Sequence, residues 1–324
     1  MKRSLVTGAN GFVASHLARA LLERGDAVTA LDRAPSRPGG LALQGIAAEV
    51  EPLEADVRDP ALVGSVLDSG QFDVVFHLAA QTIVGSAMSD PASAFDVNVR
   101  GTWTLLEACR RAEVPAVVVA SSDKAYGPPE ELPYRENMPL RPASPYEASK
   151  AAADVLALSY RPAFGLPVAV TRFANIFGGG DLNFSRLVPE AVTAVLDGRP
   201  PVIRSDGSPE RDFLYVDDAV AAYLAIEHAV GAGGPAAGEA LNAGGERPYS
   251  VAEVLTMIGE VAGTGVEPEI RGSGSPAGEI DRQYVDSRRL RELTGWRPQV
   301  ELRDGLARTV EWYREHSEVR PLAS

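Results

Sequence analysis

Along the first half of the chain, short continuous apolar runs alternate with stretches whose apolar residues recur at helical spacing. Ser4-Leu5-Val6 is a strand-like run that ends in Thr7-Gly8. From Gly11 onward, Phe12, Val13, Leu17, Leu21 and Leu22 keep to one face of a helix that stops at Gly25. Ala27 to Leu31 predicts a second strand, closed by Asp32, and Val50 to Leu53 a third, followed by Asp56. Val74 to Leu78 predicts a fourth, ending in Ala79-Ala80. A helix through Thr102 to Arg111 leads to a fifth strand, Ala116 to Ala120, ending in Ser121-Ser122. A helix through Tyr146 to Tyr160 and a strand at Val168-Ala169-Val170 continue the alternation. Strands that are apolar on both faces and separated by helices predict a parallel sheet covered on both sides. Ligands of such sheets bind at the carboxyl ends of the strands, where the polar residues just named fall.

The second half is less regular. Gly and Pro gather at Gly178-Gly179-Gly180, at Gly198-Arg199-Pro200-Pro201 and between Gly231 and Gly238. Helices are predicted at Leu187 to Leu196, Val216 to Ala229 and Val251 to Val261. The 324 residues are enough for two units. The pattern therefore predicts an α/β, doubly wound parallel sheet (Rossmann) over residues 1–170 and a smaller C-terminal α/β substrate domain over 171–324. Some later segments are expected to return to the first unit.

Composition narrows the function. Hydrophobic residues make up 45% and charged residues 23%, an ordinary globular balance. Acidic residues outnumber basic ones 44 to 31, for a net charge of -13, which argues against a nucleic-acid partner or a polybasic membrane-surface protein. No run approaches the ~20 apolar residues of a membrane span. The N-terminal apolar pair Leu5-Val6 is too short for a signal-peptide core, so a cytoplasmic location is expected. A single cysteine, Cys109, excludes an internal disulfide and a cysteine-rich metal site, and no metal is expected. Cys109 lies within a helix without a partner His, and His77 inside an apolar run reads as a core histidine. Only Lys2, Lys124 and Lys150 are lysines; the other 28 basic residues are arginine. A lysine kept in such a chain can be there because its pKa is movable and that of Arg is not.

Two local patterns carry chemistry. Thr7-Gly8-Ala9-Asn10-Gly11-Phe12-Val13-Ala14 follows a strand and opens a helix. Its glycines let the backbone approach a pyrophosphate, whose charge the helix N-terminus favours. Asp32, 21 residues beyond Gly11 at the end of the next strand, can accept hydrogen bonds from an adenosine ribose and would repel a 2′-phosphate. That favours NAD over NADP. Tyr146-Glu147-Ala148-Ser149-Lys150 sets Tyr and Lys one helical turn apart, so an ammonium can stabilise the phenolate of a tyrosine base. Ser122 could then hydrogen-bond the reacting hydroxyl, and Lys150 the nicotinamide ribose.

With these motifs the chain resembles the extended short-chain dehydrogenase/reductase family, in particular its nucleotide-sugar epimerases and dehydratases. The resemblance runs through Thr7 to Phe12, His77-Leu78-Ala79-Ala80-Gln81, Asn98 with Gly101-Thr102, and Ser144-Pro145-Tyr146. It continues in Arg172-Phe173-Ala174-Asn175-Ile176-Phe177-Gly178, Arg211 to Asp218, Gly295-Trp296-Arg297-Pro298, and Gly305-Leu306 through Trp312-Tyr313. It implies a cofactor site made of Gly8, Asn10, Gly11, Phe12, Val13, Asp32, Arg33, Asp56, Val57, Leu78, Ala79, Ala80, Gln81, Asn98, Ser121, Tyr146, Lys150 and Phe173. It implies a substrate site of Gln81, Ser86, Ser122, Asp123, Lys124, Asn175, Arg186, Leu187 and Arg211, with Asn175, Arg186 and Arg211 on the nucleotide diphosphate. A homodimer is also implied, formed through helices, with Trp103, Leu105 and Leu106 as contact residues.

The subclass hangs on Ser121-Ser122-Asp123-Lys124. Epimerases of this group usually carry small, non-ionisable residues after the catalytic Ser/Thr, whereas 4,6-dehydratases carry an acid–base pair, commonly Asp-Glu. Asp-Lys resembles the CDP-glucose 4,6-dehydratases and the inverting UDP-N-acetylglucosamine dehydratases. Gln81 and Gly178-Gly179-Gly180-Asp181 lean toward the CDP-glucose type; Arg211 to Val216 is the general family form. The resemblance implies oxidation at C4, loss of water across C5 and C6, and hydride return to C6. Lys124 would be the base at C5 and Asp123, kept protonated by burial, the acid at C6, the two titrating as a coupled unit. The alternatives are a sugar 4-epimerase, which needs no such pair, and an NAD-sensing regulator, which would be expected to lose Tyr146 or Lys150.

Overall fold

The computed structural model describes residues 1–35, 39–274 and 280–321. In chain order the strands are β1 Arg3–Thr7, β2 Ala27–Asp32, β3 Glu51–Glu54, β4 Val74–His77, β5 Val117–Ala120, β6 Val168–Phe173, β7 Asn175–Phe177, β8 Val202–Ile203, β9 Glu210–Tyr215, β10 Ala240–Ala243, β11 Pro248–Ser250, β12 Glu269–Ile270 and β13 Arg282–Gln283. Seven of them form one parallel sheet in the order β10-β6-β5-β4-β1-β2-β3. The order reverses at β1 and β4, so a crevice opens at the carboxyl edge between their following loops. The predicted α/β doubly wound sheet is thus present. All six strands read from the apolar runs are in it, each within a few residues of its predicted limits.

Both faces of the sheet are covered. Leu5, Val75, Val117, Val119, Leu105 and Leu106 lie in the core on one side. Val6, Phe76, Val118, Leu17, Leu21 and Ile226 lie in the core on the other. This alternation within single strands is why they read as unbroken apolar runs rather than as every second residue. Leu105 and Leu106 are fully buried in this core, which corrects their reading as subunit-contact residues. A contact residue must be exposed in the single chain; of that trio only Trp103 is, at 48%.

The strands β7 to β13 of the second half all escaped the apolar pattern. β10 adds to the sheet beside β6, with Asn242 opposite Arg172. β9 pairs with β7, β11 and β13 in a small sheet beyond the carboxyl edge of the large one. The helices Leu187–Leu196, Val251–Ala262 and Leu302–Glu315 share a third core with it. That layer faces the crevice. Among the described residues no helix is long and apolar enough to cross a membrane.

The helix Pro145–Phe164 shows how local sequence aims chemistry. Ser144 is its N-cap: Ser144 Oγ accepts from Glu147 N and Glu147 Oε2 accepts from Ser144 N, a reciprocal capping box with Pro145 in the first turn. Gly165 ends it in the left-handed conformation. Deeper in the helix, Asp154 receives Arg172 Nε and Nη2, both at 2.8 Å. The two side chains are 0% and 5% exposed, so each is the other's main compensation for lost water. Replacing Asp154 by Ala should lower unfolding free energy by about 3–5 kcal/mol, as measured by urea denaturation, because it strands the guanidinium in the interior.

Candidate active site

The crevice is a cleft of about 1210 Å³ between the carboxyl edge of the large sheet and the smaller layer. One end is built by the β1 turn. Gly8 has a φ of +68°, and a Cβ there would come within 2.8 Å of Ala79 Cα and 2.9 Å of Ala79 N. Only glycine allows this turn to lie against the β4 loop. Gly8 N donates to Leu31 O at 2.8 Å, tying the turn to β2. The Phe12–Glu23 helix starts at Gly11 with no side-chain cap, so its first amides face the cleft. Asp32 accepts from Asn10 N at 3.1 Å and from Ala34 N at 3.3 Å, which sets its carboxylate at the rim. Arg58 holds Asp56, through two hydrogen bonds from its guanidinium, down to a pKa of about 2. This glycine cradle, free helix start and ribose-type carboxylate fit a dinucleotide such as NAD.

Gly8, Gly11, Phe12, Val13, Asp32, Arg33, Asp56, Val57, Leu78, Ala79, Ala80, Ser121 and Phe173 all line the cleft. Asn10 and Asn98 stand behind the lining. Asn10 Oδ1 accepts from Leu41 N. Asn98 lies on a single wide, i→i+5 turn over Asp96–Arg100 and is buried. Its amide donates to Gln81 O and Ser149 Oγ and accepts from Gln81 N at 2.7 Å. It fastens the loop after β4 to the Pro145–Phe164 helix. Gln81 and Ser86 are half-buried beside the lining, and Ser86 O accepts from Ser89 Oγ.

The middle of the cleft gathers Ser122, Asp123, Lys124, Tyr146 and Lys150. Ser122 caps a short turn over Asp123–Tyr126, its Oγ accepting from Lys124 N at 3.2 Å and donating to Asp123 Oδ1 at 3.2 Å. Burial pushes the Tyr146 phenol up to about 12, while Arg186 and a hydrogen bond with Ser122 pull the other way. Lys150 Nζ donates to Ala120 O at 2.7 Å, and burial lowers its pKa to about 8. A tyrosine base and a titratable lysine thus share one helix face at the end of β5.

Asp123 is 2% exposed, and burial pushes its carboxyl up against the opposing pull of Lys124. Its Oδ2 is buried without a hydrogen-bond partner among the described residues. At the far end, Arg186, Leu187, Asn175 and Arg211 line the cleft. Arg186 pairs with Asp181 at 2.9 Å, and Asn175 Nδ2 donates to Asp212 O. The Gly178-Gly179-Gly180 run has a packing cause: a Cβ on Gly179 would meet the Trp312 ring at 2.3 Å.

Other lining residues were not read from the sequence, notably Arg204, Glu190, Tyr223 and Gln283. The alternation Arg282-Gln283-Tyr284-Val285 is a signal that could have found Gln283. It turns Gln283 and Val285 inward, to 0% and 6% exposure. His77 is a core residue, its ring nitrogens bonded to Thr7 Oγ1 and Thr102 Oγ1, and burial holds it neutral with a pKa of about 3. Burial also raises the Cys109 thiol well above its ordinary range, leaving it inert.

Residues 4–244 match the model of the NAD dependent epimerase/dehydratase family. The chain belongs to that family. A UDP-glucose 4-epimerase of Mycolicibacterium smegmatis is 39% identical over 98% of this chain and 100% of its own. A dTDP-glucose 4,6-dehydratase of Streptomyces griseus is 38% identical over 96% and 94%. Among solved structures, the dTDP-glucose 4,6-dehydratase of Streptomyces venezuelae with NAD bound is similar at a TM-score of 0.87 and 32% identity, covering 98% of each chain. The UDP-glucose 4-epimerase of Thermus thermophilus in complex with NAD gives 0.85 and 31%, covering 96% of this chain and 99% of that one. This member of the epimerase/dehydratase family is therefore an NAD-dependent enzyme of nucleotide-sugar chemistry.

Two outcomes follow from the geometry. Gly8→Ala should weaken NAD binding by about tenfold or more, read by calorimetric titration, because the turn must move off Ala79. Asp123→Asn should raise the urea midpoint at pH 7. A buried acid whose pKa is raised destabilises the fold once pH passes its ordinary value of 3.8 and the unfolded chain ionises. The gain should disappear below that pH, where both states carry the proton.

Proposed function

We propose that this enzyme is an NAD-dependent nucleotide-diphosphate-sugar 4,6-dehydratase working in the cytoplasm. The observation that carries the reading is the Asp123-Lys124 pair in the middle of the cleft, with Asp123 buried and its carboxyl pushed up by that burial. The Gly8 turn, the start of the Phe12–Glu23 helix and Asp32 would hold NAD, which when bound accepts hydride from C4 of the sugar and returns it to C6. Tyr146 takes the C4 hydroxyl proton, with Ser122 holding that hydroxyl and Lys150 supplying charge behind the phenol. The ketone at C4 makes the C5 hydrogen acidic. Lys124 Nζ takes that proton, Asp123 gives its own proton to the C6 hydroxyl, which leaves as water, and Lys124 gives its proton back to C5 as the hydride returns to C6. Arg186, Arg211 and Asn175 receive the diphosphate, with Leu187 beside them. Arginine suits this task, because its planar fork matches phosphate oxygens and the chain's net charge of -13 would otherwise repel the ligand. Gln81 and Ser86 would border the sugar.

A homodimer fits the surface of the neighbouring helices Gly101–Arg111 and Pro145–Phe164. Trp103, Val155 and Phe164 expose 48%, 60% and 57% of their surface there. A 4-epimerase is the second reading, supported by the 39% identity to such an enzyme. It uses Tyr146, Lys150 and Ser122 in the same way but has no task for a proton on Asp123.

Mass spectrometry of products from CDP-, dTDP-, UDP- and GDP-hexoses and UDP-N-acetylglucosamine tests the choice. A product lighter by one water and carrying a 4-ketone is expected. Lys124→Met should slow water loss by about 10²–10⁴-fold while leaving NAD binding intact. An isobaric product inverted at C4 would make the enzyme an epimerase.

A further inference from the structure

Gln283 is fully buried on β13 and lines the cleft. Its strand runs parallel to β9, with Gln283 in register with Arg211. On its other side Gln283 Oε1 accepts from Lys124 Nζ at 3.4 Å. A lysine ammonium offers only N–H donors, so in this contact the amide turns its oxygen toward Lys124. That fixes the opposite end: Nε2 is buried and has no hydrogen-bond partner among the described residues. A buried amide N–H without a partner costs free energy that a native chain seldom bears without a ligand to receive it. Asp123 Oδ2, a few atoms from Lys124 on the same turn, and Ser121 Oγ are further cleft atoms without a hydrogen-bond partner among the described residues. Gln283 and Asp123 both adjoin Lys124, one at its Nζ and the other along the chain.

We propose that Gln283 is a positioning residue that ties the Asp123-Lys124 pair to the hexose: Oε1 steers Lys124 Nζ, and Nε2 donates to an oxygen of the sugar. The inference deepens the dehydratase reading and rests on it for the identity of the ligand. Gln283 stands between Arg211, at the diphosphate end, and Lys124, at the reacting end, which is where a hexose ring linking the two would lie. Its neutrality is part of the fit. A carboxylate at 283 would reach the same Lys124 Nζ but hold it as an ammonium, which cannot accept a proton from C5. An amide orients the nitrogen without fixing its charge.

The scarcity of lysine makes the test direct. Chain labelled with [ε-¹³C]lysine and loaded with NAD should give three lysine resonances, from Lys2, Lys124 and Lys150. Gln283→Leu should move the Lys124 resonance and leave those of Lys2 and Lys150 in place. In the same variant, kcat for water loss should fall about tenfold, KM for the nucleotide sugar should rise, and NAD affinity should stay unchanged. Gln283→Glu, which keeps the side chain's shape, should move the acid limb of the pH profile for water loss up by about one pH unit. A Lys124 resonance that is the same in wild type and both variants overturns the inference, as does an unchanged acid limb in Gln283→Glu. If the wild-type enzyme removes water from none of the nucleotide hexoses, the dehydratase reading falls. The Lys124 resonance then still decides whether Gln283 holds this lysine.

Discussion

A buried guanidinium on a buried carboxylate, Arg172 on Asp154, underlies nearly everything the cleft presents. Arg172 sits in β6, and Asp154 lies on the helix that carries Lys150 one turn earlier and Tyr146 two turns earlier. The remaining nitrogen, Nη1, donates to Tyr126 Oη at 3.0 Å and to Glu136 O at 3.2 Å, and the guanidinium lies over the Tyr126 ring. Tyr126 closes the turn that begins with Asp123-Lys124 and donates to Asn242 on β10. One charge pair therefore keys together the tyrosine–lysine helix, the acid–base turn and the outer strand of the sheet. Desolvation makes the arrangement exacting: a guanidinium that has lost water must find all its acceptors in fixed directions, so the segments supplying them cannot drift independently. Asp154 also acts electrostatically on the site, since its charge favours the ammonium of Lys150 while burial opposes it.

The cleft does not share the acidic excess of the whole molecule, since the carboxyls of Asp32, Asp56, Asp123, Glu147, Asp181 and Glu190 in its lining are matched by basic side chains. A chain with net charge -13 lines this region with Arg33, Arg186, Arg204 and Arg211 as well as Lys124 and Lys150. Arg186 and Arg204 are held by Asp181 and Glu190. Such pairing leaves each guanidinium with free N–H groups while fixing its place, so under the function we propose an incoming diphosphate would meet donors already in position. The lysines follow a different logic. Lys150 has lost water, and its pKa falls to about 8, a value that an arginine could not reach in any surroundings. A chain that uses arginine almost everywhere else has lysine at the two places where a nitrogen near the reacting centre would need to change protonation.

The legible part of this structure was the part whose local pattern and tertiary role agree. Strands buried on both faces read as apolar runs, and β1 to β6 could be found from Leu5, Val75 or Val118 without knowledge of neighbours. The Gly8 turn and Asp32 could be paired because a single βαβ unit sets their spacing. Tyr146 and Lys150 share one helix turn. β10 could not be found this way: Ala240-Leu241-Asn242-Ala243 is four residues long, and Asn242 is interior because Tyr126 and Tyr134, far away in the chain, satisfy its amide. The subunit-contact reading of Leu105 and Leu106 failed for a related reason. Helical spacing shows that residues share a face but not what that face meets, and here it meets Val117 and Val75 of the same chain. Asn98 was legible as a polar residue of interest, yet its work is to bind the β4 loop to Ser149. Gln283 lies on a strand two residues long, too short for a period to register, although its alternation with Val285 is present.

Whole-chain likeness cannot separate the two reactions open to this fold, since a 4-epimerase and a 4,6-dehydratase stand at 39% and 38% identity. The physical reason is that both reactions begin with the same oxidation at C4. They place the same demands on the glycine turn, the ribose carboxylate, the Tyr-Lys helix and the diphosphate arginines, which together set most of the sequence. The difference is confined to what happens at C5 and C6, and so to two or three side chains at the end of β5. An epimerase gains nothing from burying an ionisable carboxyl there: the group costs stability at neutral pH, and the turnover of the ketone in the site asks for no proton. In this chain Asp123 is buried, keeps one oxygen unbonded and lies beside one of only three lysines. On the reading we propose, that cost is borne because removal of water across C5 and C6 requires a proton donor and a proton acceptor side by side.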